Sequence, residues 1–120
     1  MTFSLVARCA ASGHFGVAVT SSSPAVAARR AFVRAGTGAV ASQNVTDPRL
    51  GPRVLDAMAS GQGAAAAVGQ VTDTADNTGW RQLLAVDAQG GTAIFSGDHP
   101  LGITAEGQPP ASAAAGDLLA

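Results

Sequence analysis

The sequence predicts an α+β fold in which antiparallel sheets carry helices packed on them. Three observations predict it: a hairpin signal over residues 2–22, a second over residues 81–96, and helical spacing of apolar residues between the two.

The first strand is Thr2-Phe3-Ser4-Leu5-Val6-Ala7-Arg8 and the second Gly16-Val17-Ala18-Val19-Thr20-Ser21-Ser22. Both are rich in β-favouring residues. The small, polar stretch from Cys9 to Phe15 joins them in a loop longer than a two-residue turn. Ser21-Ser22-Ser23-Pro24 then ends the second strand. Residues 25–34 are Ala-rich enough for a helix but short and bracketed by Pro24 and Gly36, which leaves their state open. Residues 36–44 read as a buried third strand with a polar end, Ser42-Gln43-Asn44. Asp47-Pro48 signals a helix start, with Asp as N-cap and Pro in the first turn. Leu50, Val54, Leu55 and Met58 follow at helical spacing, and Gly61 stops the run. Residues 64–71 form a second helix, rich enough in Ala to let a neighbour approach closely. Residues 72–79 are a polar connection with turn chemistry at Asp76-Asn77. Residues 81–87 and 91–96 make the second hairpin around Ala88-Gln89-Gly90. An irregular region follows from Gly97 through Pro109-Pro110, and a last apolar segment spans residues 113–120.

Composition narrows the function classes. At 120 residues the chain is one domain at most, with room for a modest core. Apolar residues make up 47 % of it, yet four Phe and Trp80 are its only aromatics. An Ala- and Val-filled core needs close backbone approach between layers. All seven basic residues are Arg, which excludes Schiff-base chemistry or a Lys general base within the chain. A net charge of −1, without interleaved aromatic and basic residues, argues against a nucleic-acid surface. No apolar run reaches bilayer length and no leader precedes the first strand, so the chain is expected to be soluble, cytoplasmic and free of membrane. A lone Cys9 allows no intrachain disulfide and reads as a small buried or half-buried residue. His14 and His99 have no Cys/His cluster around them, so neither a metal site nor a cofactor is expected.

The candidate residue for chemistry is Thr2. Removal of Met1 would place a hydroxyl nucleophile and a free α-amine on one residue. An α-amine titrates near ~8, so part of it is unprotonated at neutral pH and can take the hydroxyl proton. Many chains also begin with Met, a small residue and a strand for no catalytic reason. Ser42, Gln43 and Asn44 offer three side-chain hydrogen-bonding groups at a strand end, a position that often projects into a site. The plainer role for them is a polar strand exit.

The chain resembles the bacterial domain-of-unknown-function family 1028. The resemblance rests on Thr2-Phe3-Ser4-Leu5-Val6-Ala7-Arg8, Gly16-Val17-Ala18-Val19 with Ser21, and Ala35-Gly36 with Gly38-Ala39-Val40-Ala41-Ser42-Gln43. It continues through Pro48 and Gly51, Arg81-Gln82, Val86-Asp87, Gly90 and Ser96-Gly97. The chain departs from the family pattern at Pro100 and Ile103-Thr104-Ala105, and at Ala115-Gly116-Asp117, where Asp117 replaces an Asn. The resemblance implies an N-terminal-nucleophile hydrolase-like αββα sandwich, with residues 1–120 as a single partial domain supplying its first half. A truncated chain, a naturally short protein and a precursor cut after Ala120 are three ways to reach that length. In the third, a second polypeptide beginning with Ser, Thr or Cys would carry the nucleophile in place of Thr2.

The function expected on these grounds is hydrolysis of a C–N bond, in an amide, cyclic amide or related small molecule. Thr2 would attack, and Ser42, Gln43 and Asn44 would hold the oxyanion. The superfamily resemblance adds Ser22, where relatives place an acidic residue, and Arg30, near where they place a Lys that lowers the amine's basicity. Arg81 is a candidate clamp for a substrate carboxylate, with an ion pair to Asp87 or Asp98 as its structural alternative. Asp117 is a candidate for positioning a water or an amine. The expected partners are a second polypeptide completing the sandwich and further copies of the chain. The rival class is a non-catalytic scaffold or small-ligand-binding subunit.

Overall fold

In the computed structural model, which describes residues 1–119, two four-stranded antiparallel sheets face each other and helices cover one of them. β1 (Thr2–Arg8) and β2 (Phe15–Ser21) form the first hairpin. A one-turn helix, α1 (Ala27–Arg30), runs straight into β3 (Ala31–Arg34). After β4 (Gly38–Asn44) come α2 (Leu50–Ala59) and α3 (Ala64–Thr74). A 3-10 turn at Thr78–Trp80 leads into β5 (Arg81–Asp87), β6 (Thr92–Ser96), β7 (Ile103–Gly107) and β8 (Ser112–Leu119). The first sheet has the order β2-β1-β8-β7 and the second β3-β4-β5-β6.

Strand alternation sorts the side chains into two apolar layers. Ala39 and Ala41 of β4 and Leu84 and Val86 of β5 meet Val6, Ala113 and Ala115 of the first sheet. Small residues dominate this seam. On the other face of the second sheet, Val40, Leu83, Ala85 and Ala93 pack against Leu50, Val54, Leu55 and Met58 of α2 and Ala67, Val68 and Val71 of α3. Burial on both faces explains why β4 and β5 read as nearly continuous apolar runs. α2 lies so close to β3 that a Cβ at Gly51 would stand 2.1 Å from Phe32 Cδ2.

Several expectations need correction. The open stretch 25–34 divides into α1 and the edge strand β3, where Phe32 and Val33 favour pairing with β4. Residues 103–107, expected to be irregular, form β7. The apolar terminal segment becomes β8, a central strand held between β1 and β7. Ala120 of that segment lies outside the described residues. Cys9 is exposed in the β1–β2 loop rather than buried. The second strand runs from Phe15 to Ser21, one residue earlier than the expected Gly16 to Ser22, and its pairing sets Thr2 opposite Ser21.

Candidate active site

The ends of β1, β2, β4 and β8 meet at one edge of the seam between the sheets, and Thr2 lies at their centre. Alternation along β1 turns Thr2, Ser4 and Val6 inward. Thr2 is 3 % exposed. Arg30, the last residue of α1, donates from Nη1 to Thr2 Oγ1 at 2.7 Å and from Nη2 to the Asn44 carbonyl at 3.4 Å. Ser21 Oγ shares a hydrogen bond with Thr2 Oγ1 at 2.9 Å. Asp117 accepts the Thr2 amide on Oδ1 at 3.1 Å and the Asn44 amide on Oδ2 at 2.8 Å. Exposed Met1 lies at the outer edge of the site, where its ammonium donates to Ser22 Oγ at 3.2 Å and its carbonyl accepts the Ser22 amide.

Two charges of opposite sign are buried here. Burial pushes the Arg30 guanidinium below its ordinary value, Asp117 opposes that fall, and Arg29 adds to it. Arg30 and Asp117 are 7 % and 1 % exposed. A cation kept so dry at 2.7 Å from a hydroxyl favours the alkoxide form of that hydroxyl.

The other expected site residues occupy distinct places. Gln43 enters the seam, but its two N–H bonds go to Gln82 Oε1 and the Ala115 carbonyl. Because a carbonyl only accepts, the amide orientation is fixed and Gln43 presents an acceptor, Oε1, rather than an oxyanion donor. Ser42 alternates to the helix-covered face, where its buried hydroxyl has no partner. Asn44 holds the site through its backbone in a left-handed conformation (φ 69°), and its side-chain Oδ1 is buried without a partner. Ser22 binds Met1 rather than Thr2. Arg81 turns away from the seam side chain of Gln82, donates to the Val45 carbonyl, and pairs with neither Asp87 nor Asp98. Next to it, Trp80 stacks on His99 at 5.2 Å between ring centroids.

Sequence reasoning missed Ser21. The signal was the hairpin register: with the loop one residue shorter, Thr2 pairs with Ser21. It gave Asp117 a water or an amine to position without naming which, and the structure sets its Oδ1 on the Thr2 backbone nitrogen. Among the described residues, no three His, Cys, Asp or Glu gather closely enough to hold a metal, and no helix is long and apolar enough to cross a membrane.

The chain is thus an α+β protein, a helix-backed pair of antiparallel sheets with a threonine held between a buried arginine and a buried aspartate. The chain belongs to the family of unknown function DUF1028, whose model matches residues 2–120. It is similar to the crystal structure of protein SPO2555 from Silicibacter pomeroyi, assigned to the same family model. The TM-score is 0.94 and the identity 28 %, over 98 % of this chain and 53 % of that one. The chain thus spans about half the length of that relative. No curated protein matches it.

Proposed function

We propose that this chain carries the nucleophile of an N-terminal-nucleophile hydrolase that cleaves a C–N bond in a small amide-like substrate. The observation that carries the reading is the 2.7 Å contact from Arg30 Nη1 to Thr2 Oγ1 in a dry site. Loss of Met1 frees the Thr2 amine and opens the edge that Met1 occupies. Thr2 Oγ1 then attacks the carbonyl carbon, its proton passing to the amine, while Arg30 stabilises the charge on oxygen. The amine returns the proton to the leaving nitrogen as the C–N bond breaks. Water then hydrolyses the ester on Thr2 and restores the hydroxyl. Of the three residues at the end of β4, Asn44 is the remaining candidate for the oxyanion, and only its amide Nδ2 can donate; its Oδ1 is buried without a partner.

The same reading makes residues 1–120 a single partial domain, the first half of an αββα sandwich, with the second helical layer supplied by a further polypeptide segment. The half-length coverage of the Silicibacter pomeroyi relative and the bare outer face of the first sheet support it. With both Arg30 and Asp117 converging on Thr2, this residue is favoured over a nucleophile beyond Ala120. The second reading, a non-catalytic scaffold, draws on one observation: Thr2 Oγ1 is already satisfied by Arg30 and Ser21. Intact mass and turnover on a panel of small amides separate the two. The hydrolase reading expects activity only in protein lacking Met1, and its loss in Thr2→Ala. Activity that survives Thr2→Ala overturns it.

A further inference from the structure

Asp117 touches the nitrogen of the proposed nucleophile from inside the protein. Its two oxygens take amides from different sheets, Thr2 of β1 and Asn44 of β4, at 3.1 and 2.8 Å. The carboxylate cannot swing aside without leaving a buried N–H unpaired. While Met1 is attached, the Thr2 nitrogen is a neutral amide with one proton. Hydrolysis of the Met1–Thr2 bond consumes a water, releases methionine and turns that same atom into a primary amine able to take up a proton. We propose that Asp117 holds this freed nitrogen as an ammonium, acting as the positioning residue that confines the amine's role as a base to alkaline conditions. The catalytic consequence rests on the reading of Thr2 as nucleophile; the charge on the nitrogen does not.

The charged groups facing the nitrogen decide the sign. β8 contributes Asp117 and α1 contributes Arg30, whereas β2 and the residue after it contribute only the hydroxyls of Ser21 and Ser22, and β4 the neutral Asn44. Arg81 of β5 lies on the helix-covered face, and Arg29 is drawn to the Pro24 carbonyl. Of the two charges, Asp117 is bonded to the nitrogen itself, while Arg30 is bonded to the side-chain oxygen. Interaction energy falls with distance, so the directly bonded carboxylate prevails and the ammonium form is favoured. Arg30 works against it, which makes the two residues separable by experiment.

The test is an NMR titration of the α-amine in protein that begins at Thr2, with nitrogen-15 threonine as the probe. The expected result is a midpoint at least one pH unit above the ordinary α-amine value of about 8. In Asp117→Asn it should fall by more than one unit, and in Arg30→Gln it should rise. A wild-type midpoint at or below the ordinary value overturns the proposal, as does an Asp117→Asn midpoint that stays in place. Should Asp117→Asn not fold, the wild-type and Arg30→Gln titrations decide alone. A raised midpoint in a protein without amide turnover defeats the hydrolase reading and leaves this inference intact; turnover with an unraised midpoint does the reverse.

Discussion

Arg30 is the residue whose removal is expected to be felt most at the site. Arg30→Met leaves the Asn44 carbonyl without its donor, Thr2 Oγ1 with Ser21 alone, and Asp117 without a nearby cation. Breaking one side of a buried charged arrangement costs about 3 kcal/mol, even after the relief of desolvating Arg30 is counted. Ser21→Ala removes one neutral hydrogen bond and should cost about 1 kcal/mol. Urea denaturation measures both, and equal costs would refute this ranking. At this scale the place of Thr2 at the head of β1 was legible, because the strand pattern starts with it. Ser21 and Ser22 were not separable, since a one-residue slip in hairpin register exchanges which of them faces Thr2. Nor does anything local in Gly116-Asp117-Leu118 point toward Thr2; that contact exists only because β8 pairs with β1.

At the scale of elements, one turn packs the second sheet against the 3-10 segment by close backbone approach, beside the His99 to Gly79 backbone bond and the Trp80–His99 stack. A Cβ at Gly97, just past β6, would stand 2.3 Å from the carbonyl oxygens of both Thr78 and Gly79. Neither carbonyl belongs to a side chain that can move aside, and the Gly97 amide is already bound to the Arg81 carbonyl. Gly97→Ala should therefore destabilise by about 2 kcal/mol and loosen the Trp80–His99 stack, read as a lower thermal midpoint and altered tryptophan fluorescence. An unchanged midpoint would contradict the packing described. Long, strongly patterned elements were legible: β1, β4, β5 and α2 carry their own periodicity or turn chemistry. β8 was not, because Ser-Ala-Ala-Ala-Gly-Asp has no β preference of its own. Its strand conformation comes from two neighbours that lie far away in sequence, an instance of tertiary pairing overriding propensity.

Seen whole, the molecule is lopsided. α2 and α3 cover the second sheet, while the first leaves Phe3 45 % and Ile103 61 % exposed, with Leu5 and Leu118 beside them. An apolar patch of this kind promotes association. The double variant Phe3→Thr, Leu5→Thr should lower the solution mass of the isolated chain toward that of a monomer, at a cost on the order of 1 kcal/mol in stability. Light scattering that shows the same mass for both proteins would exclude that face as the contact.

The most direct measurement of the central claim is covalent. A β-lactone offered to protein that begins at Thr2 should open on Thr2 Oγ1 and add its full mass there, with peptide mapping placing the adduct on the first residue. Arg30→Gln should slow the reaction by about a hundredfold, in line with losing one electrostatic stabiliser of the attacking oxygen. Acylation elsewhere in the chain, or at the same rate without Arg30, would contradict a threonine activated by its buried arginine.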